Sequence, residues 1–288
     1  MRRTRTWLSV WRIAATCGLM LAAGCAPSAG DPATDPPAPF VGQEGKDVVW
    51  VPTPPELIDK MLEMAAVSAD DVLIDLGSGD GRTVIAAARL GARAIGVEFD
   101  PGLVELSRRA ATEAGVADRA TFIQGDLFEA DLTPATVITM FLLPDINMKL
   151  RGTLLGLRPG TRVVSNTWDM DDWLPDATEV LDPCPTWCTS LLWVVPARVE
   201  GTWQFPLGTL TLEQQFQNVF GRVRVDGSDG EQSLPIESGR LSGAEITFRA
   251  GDTMYRGQVN GPVIEGTTGR AEGAGGARAP WRATRLER

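Results

Sequence analysis

The sequence predicts an α/β domain built on a doubly wound, mostly parallel sheet, followed by a small all-β domain. Between residues 51 and 196, short apolar runs alternate with segments of helical periodicity, as parallel strands with crossover helices require. A glycine-rich turn follows the first apolar run, at Gly77–Gly81. From about Arg198, short alternating segments recur between Gly, Asp and Ser residues, which is typical of antiparallel strands.

Composition limits the partners and the chemistry. The chain has 288 residues, of which 43% are hydrophobic and 22% are charged, so it can bury a substantial core. The formal net charge is −10, and removal of residues 1–24, which carry four arginines and no acid, would leave −14. Such a surface repels phosphate backbones, so we expect no nucleic acid partner. The chain has no histidine, which excludes a Ser-His-Asp triad, a Cys-His pair and a histidine metal site, and we expect no metal.

Residues 1–24 have the layout of a secretory signal peptide, with a basic start, an apolar run from Ile13 to Ala23 and then small residues. Cys25 directly follows Leu-Ala-Ala-Gly, which resembles a bacterial lipobox, so we predict lipidation of Cys25 and a Pro- and Ala-rich tether over residues 25–45. The predicted location is the cell envelope, lipid-anchored to a membrane and facing the periplasm or the exterior. The alternatives are a plain signal peptide, a membrane anchor, or a cytoplasmic protein if export does not occur.

A helix is expected after the segment Val51–Glu56. Thr53 stands where an N-cap is needed, prolines follow in the first turn, and Glu56 would complete a capping box. Apolar residues then recur at helical spacing, at Leu57, Met61, Met64 and Ala65. We expect the loop before this helix to lie near a ligand.

The next unit is a strand, a glycine-rich turn and a helix. Val72–Leu76 is short and apolar, as expected for a buried parallel strand, and Val84–Leu90 is an alanine-rich helix candidate. Between them three glycines alternate, in the pattern D-x-G-x-G-x-G. Such a turn brings backbone amides close to a ligand. Nicotinamide-dinucleotide folds place the third glycine one position later, so this spacing favours a different ligand.

Two further strands end beside acidic residues. Strand Ala94–Glu98 ends in a carboxylate 17 positions beyond Gly81, near the spacing expected of an acid that accepts from both ribose hydroxyls. A helix is predicted to follow from Asp100 to Ala114. The third strand, Ala120–Gln124, is followed at once by Gly-Asp126-Leu.

These motifs, in this order, resemble those of class I, seven-strand methyltransferases that depend on S-adenosylmethionine (SAM). The resemblance implies a Rossmann-like methyltransferase sheet over residues 46–197 and SAM as the cofactor, with the glycine turn holding its amino-acid end. It also implies that Asp126 accepts from the adenine amino group and that Leu127 packs on the ring. The predicted cofactor-binding residues are Asp75, Gly77, Ser78, Gly79, Gly81, Glu98, Phe99, Asp126 and Leu127.

The residues at the end of the fourth strand, predicted over Thr136–Leu143, limit the class of methyl acceptor. Enzymes that methylate amino groups of nucleic acids carry Asn- or Asp-Pro-Pro-aromatic there, and those that methylate a cytosine ring carbon carry Pro-Cys. This chain carries neither. A helix over Asp145–Leu157, a fifth strand over Thr161–Ser165 and an antiparallel hairpin over Ala177–Leu181 and Ser190–Val195 would complete the sheet.

The segments VPTP, DLGSGDGR, GVEFDP, GDLF and FLLP together resemble small protein-lysine methyltransferases of the mitochondrial type and their bacterial relatives. This resemblance implies N-methylation of a protein lysine, or of a small-molecule acceptor. The residues expected to border the acceptor pocket are Thr53, Thr139, Asn166 and Trp168, and no catalytic proton transfer is assigned to them. Because SAM is made in the cytoplasm, the alternative is a non-catalytic envelope lipoprotein that uses the fold as a scaffold or nucleoside-binding module.

Cys184 and Cys188 flank Pro-Thr-Trp in the turn of the predicted hairpin. A disulfide that closes this loop is expected in an exported protein. The other interpretations are a metal site, for which two thiolates without histidine are an incomplete set, and a redox pair, whose usual spacing is C-x-x-C.

Residues 198–288 are predicted to form an antiparallel meander, either a small barrel or a sandwich. The predicted strands are Thr202–Phe205, Thr209–Phe216, Val219–Val225, Ala244–Phe248, Met254–Val259 and Trp281–Thr284. Trp203 and Trp281 are interpreted as core aromatics that close the domain, with a ligand- or partner-binding cup as the alternative. The glycine-rich segment Val263–Arg278 is predicted to be a mobile loop.

Overall fold

The computed structural model describes residues 40–43, 49–184, 186–227, 230–270 and 278–286. The predicted signal peptide, most of the predicted tether and the predicted lipidation site at Cys25 lie outside these residues. Within the described ranges, no helix combines the length and the apolar character needed to cross a membrane. The described chain forms a seven-strand α/β sheet domain and then a closed eight-strand β-barrel.

Helix α1 (Pro55–Met64) opens the α/β domain and buries Leu57 and Met61 against the sheet. The expected capping box is wrong, because Pro54 is the N-cap and no side chain caps the helix. Thr53 is buried instead, and its hydroxyl accepts a hydrogen bond from the Asn166 side-chain amide at 3.3 Å. This contact holds the loop before α1 against the end of a strand.

The α/β sheet has seven strands: β1 (Val72–Leu76), β2 (Arg93–Glu98), β3 (Ala120–Gln124), β4 (Val137–Met140), β5 (Arg162–Asn166), β6 (Ala177–Val180) and β7 (Thr189–Val194). Their order is β3-β2-β1-β4-β5-β7-β6. Strands β1 to β5 are parallel, whereas β7 pairs antiparallel with both β5 and β6. The Rossmann-like methyltransferase sheet is therefore confirmed, and its strand order reverses between β1 and β4, where ligands bind in such sheets.

Helices α2 (Arg82–Arg89), α3 (Pro101–Glu113) and α4 (Pro144–Leu155) connect the parallel strands. The N-cap of α3 is Asp100, whose carboxylate accepts from the backbone N–H groups of Gly102 and Leu103 at 2.7 and 3.0 Å. Strand β4 is shorter than the predicted Thr136–Leu143, because the chain leaves the sheet at Phe141. The residues that follow line the cavity described below.

The C-terminal domain is a closed barrel of β8 (Gly201–Phe205), β9 (Gly208–Gln215), β10 (Asn218–Gly227), β11 (Gly230–Ser242), β12 (Glu245–Ala250), β13 (Thr253–Asn260), β14 (Val263–Arg270) and β15 (Ala279–Arg285). The sequence did not predict β11, and the loop predicted over Val263–Arg278 is wrong where β14 forms; residues 271–277 lie outside the described chain. In β14, a Cβ on Gly266 would lie 1.8 Å from the Arg256 carbonyl oxygen. Glycine there permits close strand packing and does not mark a loop.

Aromatic side chains fill the barrel. Trp203 is fully buried and donates its indole N–H to the Val199 carbonyl at 2.8 Å, and Trp281 donates to the Arg256 carbonyl at 2.9 Å. Phe248 packs edge-to-face on Trp281, with 6.0 Å between ring centroids. Interpretation of the two tryptophans as core aromatics is confirmed, and β15 pairs with β8 to close the barrel.

The barrel packs directly on the α/β domain. Gln217 is buried and donates to the Leu174 carbonyl at 2.8 Å, and Phe216 stacks on Trp173 with ring centroids 6.0 Å apart. Backbones also meet, because a Cβ on Gly243 would lie only 2.9 Å from the Cα of Gly160. The two domains therefore share a specific interface.

Candidate active site

A cavity of about 270 Å³ opens at the carboxyl ends of β1, β2 and β4. This is the edge where the strand order reverses, so the site coincides with the position that the topology favours for a ligand. The predicted cofactor residues that line it are Asp75, Gly77, Ser78, Gly79, Glu98, Phe99, Asp126 and Leu127. Gly81, also predicted to bind the cofactor, does not line the cavity and is the N-cap of α2.

The glycine-rich turn needs its glycines for backbone conformation and for space. Gly77, Gly79 and Gly81 have φ values of 73°, 55° and 79°, in the left-handed region that side chains disfavour. A Cβ on Gly79 would also lie 2.5 Å from the indole nitrogen of Trp50. Trp50 therefore lies directly against the turn, on the extended segment that precedes α1. The hydroxyl of Ser78 faces Gly96 of β2, and the Ser78 backbone N–H donates to the Val97 carbonyl at 3.0 Å.

Glu98 connects the turn to the next helix. Its carboxylate accepts from the backbone N–H of Gly79 at 2.8 Å and from that of Asp100 at 2.9 Å. A carboxylate has about four acceptor positions, so about two remain for ligand hydroxyls. The side chain is half-buried and lines the cavity. The protein therefore already orients this side chain, and its ribose-binding role stays a prediction.

Asp75 is a buried carboxyl at the base of the cavity. Its pKa is raised to about 7 by burial and by the negative charges of Glu98 and Asp80, against the opposing effect of a hydrogen bond from Thr139. The Thr139 hydroxyl donates to it at 2.6 Å. At neutral pH this group is therefore divided between a neutral and an ionised form, within reach of a ligand.

Arg82 ties the turn to the loop before α1. Its guanidinium binds both carboxylate oxygens of Asp80, with the shortest distance 2.6 Å, and donates to the Thr53 carbonyl at 3.2 Å. The other ionisable side chains of the described lining are all acidic, namely those of Asp75, Glu98, Asp100 and Asp126. The cavity thus has an excess of negative charge and favours a cationic ligand.

At the far side of the cavity, Asp126 and Leu127 follow β3 and Phe99 follows β2. One carboxylate oxygen of Asp126 accepts from the Phe128 backbone N–H at 2.9 Å, which fixes the side chain in the turn. Phe99 is 50% exposed and Leu127 is partly buried. An acid beside apolar side chains suits a flat heterocycle with an exocyclic amine, as the resemblance implies for adenine.

The structure separates the four residues expected at the acceptor pocket. Thr53 and Trp168 line the cavity, whereas Thr139 and Asn166 are fully buried behind it and support Asp75 and Thr53. Sequence analysis did not single out three aromatic residues that also line it: Trp50, Phe141 and Trp187. The sequence signal for Trp187 was its position inside the Cys184–Cys188 turn.

The predicted disulfide is present. Cys184 and Cys188 are bonded, with 5.9 Å between their Cα atoms, in the connection between β6 and β7. Neither thiol is available as a metal ligand in this state. The disulfide closes the loop that carries Trp187 to the cavity.

The residues that line the cavity are chemically suited to SAM. The three glycines let a ligand lie close to the backbone of the turn, Glu98 retains acceptor positions, and the acidic lining matches a cofactor with a net positive charge. Glu98 and the turn would hold the ribose and the amino-acid end. The fold and this site together define a SAM-dependent methyltransferase.

Comparisons with known proteins agree with this class. A family model, the ANTKMT methyltransferase domain, matches residues 75–177. A protein-lysine N-methyltransferase of Saccharolobus islandicus is 43% identical over 131 residues, which cover 44% of this chain and 81% of that protein. The adenine nucleotide translocase lysine N-methyltransferase of Mus musculus is 38% identical over 107 residues, covering 36% of this chain and 47% of that protein. A crystal structure of an RNA methyltransferase of Salinibacter ruber in complex with S-adenosyl-L-homocysteine also matches. The match covers 52% of this chain and 96% of the other, with 54% sequence identity and a TM-score of 0.49.

The chain belongs to the methyltransferase family that includes the archaeal protein and is described by the ANTKMT domain model. It spans about four fifths of the archaeal protein and less than half of the mouse protein. The family model ends at residue 177, so the disulfide turn and the barrel lie beyond it.

Proposed function

We propose that this protein transfers the methyl group of SAM to the side-chain amine of a lysine in a protein. The observation that carries the proposal is the 43% identity to an archaeal protein-lysine N-methyltransferase over most of that protein's length. The acidic lining is consistent with it, because a lysine side chain reaches the site as a cation. The sequence FLLP after β4 also lacks the Asn- or Asp-Pro-Pro-aromatic motif of enzymes that methylate nucleic-acid amines.

The roles of the residues follow from their geometry. SAM supplies a methyl group activated by its sulfonium. Glu98 would accept from the ribose hydroxyls, Asp126 from the adenine amine, and the Gly77–Gly81 turn would hold the amino-acid end. The walls orient the amine and exclude water, which can account for much of the rate of an in-line methyl transfer. The lysine ammonium first loses a proton to solvent, and the neutral amine then attacks the methyl group without a strong base, which agrees with a chain that has no histidine.

Cofactor binding is tested first, by calorimetric titration of SAM into the full chain. Glu98→Ala removes the ribose acceptor and two backbone hydrogen bonds, and we expect it to weaken binding by about 1–3 kcal/mol. Glu113→Ala is the matched control, because Glu113 is exposed on α3 and lies outside the cavity. Equal affinities for the two variants would contradict the assigned role of Glu98.

The acceptor is tested with methyl-labelled SAM and a cell extract, with products identified by mass spectrometry. We expect label on lysines, and none in an extract whose amines have been blocked by acetylation. Label in nuclease-sensitive material, or on a residue other than lysine, would overturn the lysine assignment and leave the methyltransferase class intact. The lipid anchor stays a prediction, which palmitate labelling with membrane fractionation would test.

A further inference from the structure

Three aromatic rings form a continuous wall at one side of the cavity. We call Phe141, Trp168 and Trp187 the aromatic wall. The ring centroid of Trp187 lies 5.6 Å from that of Phe141 and 5.9 Å from that of Trp168, with interplanar angles of 60° and 54°. All three side chains line the cavity, and none is fully buried. The wall therefore contacts whatever enters the cavity beside the cofactor-binding residues.

The fold brings these rings together from three connections. Phe141 directly follows β4, Trp168 follows β5, and Trp187 precedes β7, which runs antiparallel to β5. All three connections therefore meet at the carboxyl edge of the sheet. Trp187 has a φ of 57°, a conformation that costs a residue with a Cβ free energy. The Cys184–Cys188 disulfide closes the loop around Trp187 and limits its alternatives.

Charge identifies the class of ligand for this wall. The described lining carries five carboxyl groups, at Asp75, Asp80, Glu98, Asp100 and Asp126, and one guanidinium, which already pairs with Asp80. A cavity with excess negative charge and an aromatic wall favours a cation with an apolar surface. Aromatic faces attract such cations through the ring quadrupole, and alkylated ammonium groups are ligands of this kind.

We propose that the aromatic wall binds the alkylammonium group of the methyl acceptor and of its methylated product, and that Trp187 is the specificity-determining ring. This inference rests on the proposed amine methylation but concerns a different surface from the cofactor residues. Trp187 and its disulfide lie beyond residues 75–177, the segment that matches the family model. Each added methyl group enlarges the apolar surface of the cation and improves its fit to the wall.

The test compares choline with its neutral isostere, 3,3-dimethyl-1-butanol, as probes. Both are titrated into the full chain saturated with S-adenosyl-L-homocysteine, and binding is followed by calorimetry or by ligand NMR. We expect the wild-type protein to prefer choline by about 2- to 30-fold, the range of a cation over an indole face. Trp187→Ala should abolish the preference, and Trp187→Phe should restore part of it.

Control variants distinguish a loss of cation binding from a loss of folding, and the possible results distinguish this proposal from that of lysine methylation. Phe220→Ala removes an exposed aromatic side chain of the barrel and should leave the preference unchanged. Replacing both Cys184 and Cys188 by serine should weaken the preference, because the loop is then free to move. An equal affinity of the wild-type protein for the two probes, or a preference that survives Trp187→Ala, would overturn the proposal. A choline preference with no lysine methylation would retain the cation site and reject only the lysine acceptor.

Discussion

The raised pKa of Asp75 predicts that Asp75→Asn stabilises the protein at neutral pH. The folded protein holds the carboxyl proton up to about pH 7, whereas the ordinary value is 3.8. Between these values the folded state binds more protons than the unfolded chain, so the free energy of unfolding falls as pH rises and levels off above pH 7. Between pH 5 and pH 8, this difference in proton binding lowers the free energy of unfolding of the wild-type protein by about 3 kcal/mol. The Asp75→Asn variant lacks the titrating carboxyl and would not show this loss.

The substitution is suited to the site. Asparagine has the shape of aspartate and retains an oxygen that can accept from the Thr139 hydroxyl, which lies 2.6 Å from the carboxylate. The assay is urea unfolding of the cofactor-free protein and of Asp75→Asn at pH 5 and pH 8. The measured quantity is the change with pH in the stability difference between the two proteins, because other titrating groups cancel in it.

We expect the variant to gain about 3 kcal/mol relative to the wild-type protein from pH 5 to pH 8. A difference in stability that stays constant over this range would refute the reasoning, because it would mean that Asp75 titrates alike in the folded and unfolded states. The variant should also bind SAM more weakly at pH 8, since the cation then loses a buried negative charge beside it.

Three further predictions concern other parts of the molecule. Gly79→Ala should weaken SAM binding, because its Cβ would meet Trp50 at 2.5 Å; Gly115→Ala, with a φ of 70° and open space, carries similar backbone strain and should leave binding unchanged in the same titration. Arg162→Met should lower the free energy of unfolding by about 1–3 kcal/mol in urea, since the buried Asp71 before β1 then loses its ion pair and keeps only its hydrogen bonds from Ser68 and Thr136. Gln217→Ala should cost about 1 kcal/mol and separate the unfolding of the two domains in calorimetric scans, because it removes the hydrogen bond that this buried side chain donates to the Leu174 carbonyl at their interface.

The sequence predicted the α/β domain well because its determinants are local. The D-x-G-x-G-x-G turn, Glu98 at the end of β2 and Asp126 after β3 each follow a short apolar strand, and parallel strands bring their carboxyl ends to one edge. The helix start at Asp100 was predictable for the same reason. The capping role of Thr53 was predicted wrongly because a hydroxyl before a helix can either cap it or bind a distant partner, and here the partner is Asn166, far along the chain.

The aromatic wall and the full set of barrel strands were not predictable in this way. Trp187 meets Phe141 and Trp168 only after β7 has paired with β5, which is a long-range event. Strand β14 was mistaken for a loop because glycine is common in turns. The need for glycine at position 266 comes from its close approach to Arg256 in the neighbouring strand β13. Local propensity gives no information about either contact.

The closure of the barrel has a consequence for its folding kinetics. Seven of its eight strand pairings join consecutive strands, and six of these seven need a connection of only two residues. The eighth, between β8 and β15, joins residues about 80 positions apart through two registered pairs, Gln204 with Thr284 and Trp203 with Arg285. Loop closure over that separation costs the most entropy for the fewest contacts, so this seam should form last in folding and open first in the native state. Amide hydrogen exchange should therefore be fastest along that junction.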